Sequence, residues 1–331
     1  MRFFVEEEKM KAIDMHCDTI MKLYQTPEAE LKENDFQIDL LRMKESGTDL
    51  QNFAMFIPLD EVDDPYTVCR EMIDCYQSEI GKNTDLIRAI TTMAEYEENQ
   101  AAGRLSALLT MEEGAPLAGR LDRLQEFYDL GVRMLTLTWN FENELGFPNA
   151  LYWNEVEQTL NPDQRGLTEK GIEIVQRMEE LGMIIDVSHG SDQLVRDVLT
   201  YTKRPFVASH SNARTICNHP RNLSDELIHG IAERGGVIGM NYYEAFIRPP
   251  GSQQSLAAGL INHIKHFIQI GGIECVGLGS DFDGIEEHPE LADIRSIEKI
   301  EQALRAAGFS ASEREKIFYQ NVERLYREFL L

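Results

Sequence analysis

Several short stretches set imidazoles or carboxylates directly after apolar runs. AIDMHCDTI carries His16 and Asp18, LLTMEEG carries Glu112 and Glu113, MIIDVSH ends on His189, FVASHS holds His210, and GLGSDFDG holds Asp281 and Asp283. A strand that only fills a core has no need of such a residue at its end, whereas a metal site does. Residues two apart in an extended chain face the same side. His16 and Asp18 can therefore reach one ion together while Cys17 points away. Mixed imidazole and carboxylate donors suit Zn²⁺, with Mn²⁺, Co²⁺ or Fe²⁺ as alternatives. The set is large enough for one or two divalent ions, and a carboxylate can bridge two. Two ions about 3.5–4 Å apart share a hydroxide and polarise a carbonyl. Asp281 would then be the general base and proton shuttle for that water.

Each residue also has a plainer reading. A lone His at a strand end is more often a hydrogen-bonded core residue, an Asp in a GSD turn is often only a turn residue, and Glu112 could be a solvated loop charge. These readings would have to hold together at five predicted strand ends, in a chain with eight His in all. The joint metal reading is the stronger one. His219, His229, His263, His266 and His288 do not share the pattern, and His229, His263 and His266 fall in helical stretches as surface or packing residues.

The elements that would position these groups can be read from the pattern. Eight strands are predicted, near 11–16, 52–59, 106–111, 133–139, 183–189, 205–210, 236–243 and 275–281. Most are continuous apolar runs, which suits strands buried on both faces of a parallel sheet. Helical periodicity fills 121–131, 167–182, 223–236 and 255–272, with Thr168 and Ser224 as N-caps and Gly131, Gly182 and Gly235-Gly236 as stops. Two further helices end the chain. The alternation predicts a (β/α)₈ TIM barrel of the metal-dependent hydrolase type, one domain over 1–331 with insertions near 140–166 and 243–254. Both insertions follow strands and belong on the C-terminal face, where barrel enzymes keep their active sites.

Composition narrows the function further. With 331 residues, 43% of them hydrophobic, the chain can bury a large core. A formal net charge of −25 argues against nucleic acid and anionic membranes as partners. The five Cys are irregularly spaced, without a CxxC pair, as expected in a reducing compartment. The N-terminus MRFFVEEEKMKAIDMH lacks a signal-peptide core, and no run is long enough for a membrane span. A cytoplasmic protein is expected, and a homodimer is compatible with the sequence.

The stretches IDMHCDT, LTMEEGAPL, GVRMLTLTWN, IIDVSHGS, FVASHSNAR, HPRNLSDE and VGLGSDFDG together resemble the membrane dipeptidase (renal dipeptidase) family of zinc peptidases, among the amidohydrolase-like barrels. They run from residue 13 to 284. The resemblance implies a binuclear zinc centre, with His16 and Asp18 on one ion, His189 and His210 on the other, and Glu112 bridging. Glu113 is the alternative bridge, and Asp281 is the acidic residue of the eighth strand, ahead of Asp283. It also implies that Arg221 holds the carboxylate of a dipeptide substrate, which suits a bidentate guanidinium; read from spacing alone, Arg221 could equally be a surface residue. Family members often carry a His at the end of the fourth strand, where this chain has Trp139-Asn140. Asn140 could donate to an oxyanion and Trp139 could line a pocket. Tyr152 and Trp153 could form a lid or be ordinary loop packing.

The function expected on these grounds is a metal-dependent dipeptidase, tolerant of a D-residue at the C-terminal position, acting through a metal-bridging hydroxide. The alternatives are an N-acyl-D-amino acid deacylase or lactonase on the same site, and a metal-free barrel lyase or binding protein. A lyase would often want a Schiff-base Lys at a strand end, and the predicted strand ends carry none.

Overall fold

The computed structural model describes residues 9–161 and 164–331. Eight parallel strands form a ring: β1 (Ala12–Asp14), β2 (Thr48–Phe56), β3 (Leu105–Glu112), β4 (Met134–Thr136), β5 (Ile184–Asp186), β6 (Val207–Ala208), β7 (Val237–Met240) and β8 (Val276–Leu278). Each pairs with its chain-order neighbours, and Asp14 against Leu278 closes the ring. This is the predicted (β/α)₈ barrel, with helices packed around it.

Side-chain parity explains how one sheet builds both a core and a site. Leu50, Leu108, Met134, Ile184, Val207 and Val237 form an apolar layer inside the barrel with Ile13 and Met15. The C-terminal helix Asn321–Phe329 closes that end, adding Tyr326 and Phe329 to the layer. Tyr326 donates to Asn52 Oδ1 at 3.0 Å inside the ring. Two and four residues beyond Leu108 come Thr110 and Glu112, on the same face by the two-residue repeat. Register then aligns Glu112 with Thr136, and Thr136 with Asp186. The interior thus turns from apolar to polar along the strands, toward the C-terminal mouth.

The helices begin and end where the caps predict. Thr168, Ser224 and Ser255 accept from the backbone N–H groups of Gly171, Leu227 and Ala258, and Gly182 closes Glu169–Leu181 in the left-handed conformation. Three features differ from the sequence reading. A short strand Ile87–Ile90 pairs with Leu105–Leu108 on the edge that β4 takes farther along. Only Ile87 and Ile90 of its four residues are buried, and it carries none of the chemical markers that pick out the others. The segment after β4 also contains a small hairpin, Trp153–Asn154 against Thr159–Leu160. The strands are shorter than the apolar runs: 133–139 is a strand only to Thr136, with Leu137 N–H still reaching Asp186 O at 3.3 Å and Trp139 N–H turned to the Glu113 side chain.

The acidic start of the chain, residues 1–8, and positions 162 and 163 of the insertion lie outside the described residues. No helix among the described residues is long and apolar enough to cross a membrane.

Candidate metal centre and substrate cavity

The five groups His16, Asp18, Glu112, His189 and His210 converge at the mouth. β1 ends at Asp14, and Cys17 still bridges to Phe282 in parallel register. His16 and Asp18 come to the same side, with Nε2 and Oδ2 3.5 Å apart. Cys17 turns away and donates to Asn52 O at 3.3 Å. His189 and His210 lie two or three residues past β5 and β6. His189 takes a left-handed φ of 67°, which a non-glycine residue rarely adopts.

Glu112 sits between two groups. Its Oε2 is 3.2 Å from His16 Nε2. Its Oε1 is 3.0 Å from His189 Nε2 and 3.3 Å from His210 Nε2. One carboxylate oxygen therefore faces the His16–Asp18 side and the other faces the His189–His210 side. Glu113, one residue on, points elsewhere. Its carboxylate accepts from the N–H groups of Ala115 at 2.7 Å and Trp139 at 2.8 Å, and from the Asn143 amide. It clasps the loop after β4 and has no place in the cluster.

Of the two aspartates in GSDFDG, Asp281 faces the cluster, its Oδ1 3.7 Å from His16 Nε2. Its Oδ2 accepts from Asn241 Nδ2 at 2.8 Å. Asp283 is engaged elsewhere, by Thr19 Oγ1 at 2.6 Å and Gln37 N at 2.7 Å. Gly284 completes the turn, and a Cβ there would lie 2.0 Å from Asp18 Oδ2. That position leaves no room beside the Asp18 carboxylate for any side chain.

The donor set fits divalent cations. His16 Nε2 and Asp18 Oδ1 are buried without a hydrogen-bond partner, although such groups are paired in most folded proteins. The charge balance points the same way. Burial pushes Asp18 up to about 8 and Asp281 up to about 6, and the charge on Glu112 adds to both. Burial opposes an imidazolium at His16, yet Glu112 and Asp18 outweigh it and raise its pKa well above the usual value. Burial pushes His189 down to about 4 and His210 well below its ordinary range. Three acidic groups thus crowd around one imidazolium, short of the positive charge that would keep all of them ionised, while two imidazoles are held neutral. A cation bound among them would relieve that deficit.

Each neutral imidazole is held through its other nitrogen. His189 Nδ1 donates to Asn140 Oδ1 at 3.0 Å. His210 Nδ1 is 2.8 Å from Ser209 Oγ. The carbonyl end of Asn140 is therefore occupied, leaving only its amide N–H groups for a substrate.

Above the cluster lies a cavity of about 760 Å³. One wall is aromatic, with Phe56 edge-on to Trp139 at 4.8 Å between centroids. Arg221 lines the cavity but is only 6% exposed. Its Nη2 donates to His210 O at 3.2 Å, its Nε lacks a partner, and no carboxylate among the described residues pairs with it. Trp153, from the hairpin, stacks loosely on His219 at 6.4 Å and also lines the cavity. Tyr152 instead accepts from Arg165 N and packs the loop. Asn241 and Asp186 were not singled out from the sequence. Both are polar residues set in or just after apolar runs, so the signal that picks out His16 and Glu112 was present there too.

Residues 5–330 match the family model described as membrane dipeptidase, peptidase family M19. The chain is 34% identical over 307 residues to an uncharacterized dipeptidase of Schizosaccharomyces pombe, covering 86% of this chain and 72% of that one. It is 28% identical to the dipeptidase aclJ of Aspergillus oryzae, covering 87% and 69%. A metallopeptidase from Rhodobacter sphaeroides, solved with a phosphinate mimic of the dipeptide L-Ala-D-Ala, superposes with a TM-score of 0.89 at 25% identity, over 97% of this chain and 100% of that one.

Proposed function

Because the chain belongs to the membrane dipeptidase family, peptidase family M19, we propose that it cleaves dipeptides at a centre of two zinc ions held between Asp18, His16, Glu112, His189 and His210. At the coarser level it is a hydrolase of the dipeptidase kind. The observation that carries the two-ion reading is the division of Glu112, one oxygen toward His16 and the other toward His189 and His210. Two such ions supply a Lewis acid for the scissile carbonyl and a water-derived nucleophile at neutral pH.

The chain's own groups do the rest. Asp281 is tethered by Asn241 through Oδ2, which leaves Oδ1 on the cluster side to take a proton from the attacking water and return it to the leaving amine. Arg221 holds the carboxylate of the C-terminal residue, and its buried guanidinium, paired with no carboxylate among the described residues and with Nε left without a partner, supports that role. Trp139 and Phe56 line the same cavity, and Asn140, whose amide N–H end is left free by its contact with His189, donates toward the reacting carbonyl. The L-Ala-D-Ala mimic in the Rhodobacter sphaeroides relative supports tolerance of a D-residue at the C-terminal position.

N-acylated D-amino acids are the second reading. They present the same carboxylate to Arg221, and the aromatic wall of Phe56 and Trp139 favours an acyl group over a free amine. A panel of L-L and L-D dipeptides and N-acyl-D-amino acids, run before and after chelation, tests both. Dipeptide hydrolysis lost on chelation and restored by Zn²⁺ is expected. Full activity in a metal-stripped sample overturns the mechanism, and turnover confined to acylated substrates overturns the dipeptidase assignment.

A further inference from the structure

We propose that Asp186 and Ser209 are positioning residues of the metal centre: they form a relay that keeps the proton of His210 on Nδ1 and its Nε2 lone pair on the ion. The proposal rests on the metal reading of the mouth.

Asp186 is fully buried at the end of β5, inside the barrel, and touches no substrate-facing surface. Its Oδ1 accepts from the backbone N–H groups of Ser188 and Ser209, each at 2.9 Å. Its Oδ2 is 2.6 Å from Thr136 Oγ1 and 2.5 Å from Ser209 Oγ. A carboxylate can only accept, so the Ser209 hydroxyl must spend its one hydrogen on Oδ2. The Ser209 oxygen can then only accept at the 2.8 Å contact with His210 Nδ1. The proton is thereby assigned to Nδ1. The nitrogen left without it is Nε2, which faces His189 Nε2 at 3.1 Å and Glu112 Oε1 at 3.3 Å.

The corner around Ser209 is closely fitted. A Cβ at Gly239 or Gly279 would fall 1.9 or 1.8 Å from Ser209 O, so β7 and β8 come right up to it. Ser188 Oγ accepts from His210 N at 3.2 Å and stands 3.4 Å from Ser209 Oγ, too far to compete strongly for its hydrogen. Partners of this kind commonly set a ligand's affinity by 10–100-fold.

The direction of the relay gives it a signature that a purely structural carboxylate would lack. Asp186→Asn keeps the shape but puts an N–H donor at the Oδ2 position. Thr136 and Ser209 can both turn to accept from it. The Ser209 hydroxyl would then donate to His210 Nδ1 and drive the proton onto Nε2, the metal-facing atom. Ser209→Ala removes the relay without reversing it, leaving His210 free to choose its tautomer.

The test is Zn²⁺ affinity of metal-stripped protein by competition with a chromogenic chelator, with thermal melting of each stripped variant in parallel. The wild type should bind two ions. Ser209→Ala should weaken one of them about 10-fold, and Asp186→Asn about 100-fold. The double variant Asp186→Asn/Ser209→Ala should bind better than Asp186→Asn alone, because the reversed proton no longer reaches His210. Additive losses in the double variant, or wild-type affinity in Asp186→Asn, overturn the relay while leaving the two-ion centre standing. If Asp186→Asn does not fold, Ser209→Ala decides: unchanged affinity overturns the relay, and a loss at one ion with unchanged melting supports it. A wild type that binds no Zn²⁺ overturns the metal reading and the relay with it.

Discussion

His210 and His263 are equally buried, both at 0% exposure, yet they sit in opposite situations. In the helix Leu256–Gly271, His263 has both ring nitrogens satisfied. Nδ1 accepts from Ala213 N at 3.0 Å and Nε2 donates to Ile247 O at 2.9 Å. At the mouth, His210 has Nδ1 tied to Ser209, while Nε2 is turned toward another imidazole and the Glu112 carboxylate. Burial alone therefore does not separate a packing histidine from a working one. The separation lies in where the second nitrogen points and what it lacks. His263 ties the loop after β6 to the segment around Ile247; the mouth histidines instead turn Nε2 toward one another and toward the Glu112 carboxylate, and His16 Nε2 is left without a hydrogen-bond partner.

The comparison predicts that disabling the mouth costs function and disabling the His263 site costs stability. The largest effect should come from Glu112→Gln, which removes the charge shared by both halves of the cluster. A fall on the order of 10³-fold in kcat/KM on a dipeptide is expected, about 4 kcal/mol, with loss of bound metal. His263→Gln should leave kcat/KM per folded molecule unchanged. A Glu112→Gln protein that keeps two ions and normal turnover would erase the distinction.

Arg221 meets the same criterion as His16, since its buried Nε has no partner. Arg221→Met should lower kcat/KM about 100-fold, chiefly through KM, equivalent to about 2.7 kcal/mol. The sharper check uses a dipeptide amide, which lacks the terminal carboxylate. Wild type should prefer the free acid over the amide by a similar factor, and Arg221→Met should not. Equal discrimination by both proteins would move carboxylate binding to another residue.

Part of this contrast was legible in the sequence. The pair His16-x-Asp18 could be placed because a two-residue repeat decides which side chains share a face. The barrel followed from eight apolar runs alternating with capped helices, and its caps fell on Thr168 and Ser224. The choice between Glu112 and Glu113 could not be made, because adjacent strand residues face opposite sides and the inward parity depends on which side meets Leu50 and Met134 across the ring. The role of Asp186 was not legible, because its donors, Thr136 and Ser209, come from neighbouring strands far off in sequence. The hairpin at Trp153–Leu160 is held by two residue pairs and has no periodicity to read.

The His263 side of the comparison can be tested by pH. Burial holds His263 down to about 4 from an ordinary 6.5. His266, on the same helix, adds to this, and the bond to Ile247 O works against it. The unfolded chain then binds more protons than the folded one between those two values. The stability from keeping His263 neutral is fully present above about pH 6.5 and is lost as pH falls toward 4. Between pH 7 and 5 the loss should be about 2 kcal/mol, read from urea unfolding of stripped protein. The difference in pH slope between wild type and His263→Gln isolates this contribution from the mouth histidines, which titrate in both. Parallel slopes would mean that His263 carries no proton-linked stability.

The smallest effect expected is at Asn140, and it ranks the two supports within the mouth. His189 leans on a neutral amide 49 residues away in sequence, held on the loop that Glu113 clasps. His210 leans on a hydroxyl backed by a carboxylate. A neutral acceptor polarises an imidazole less than a relay ending in a charge. Asn140→Ala should therefore weaken one Zn²⁺ ion by less than 10-fold, under about 1.4 kcal/mol. Asn140→Asp should restore the acceptor and tighten that ion beyond wild type, because His189 Nδ1–H would then face a carboxylate. Chelator competition reads both. A loss in Asn140→Ala larger than that in Ser209→Ala would reverse the ranking and make the loop amide, not the buried carboxylate, the stronger support.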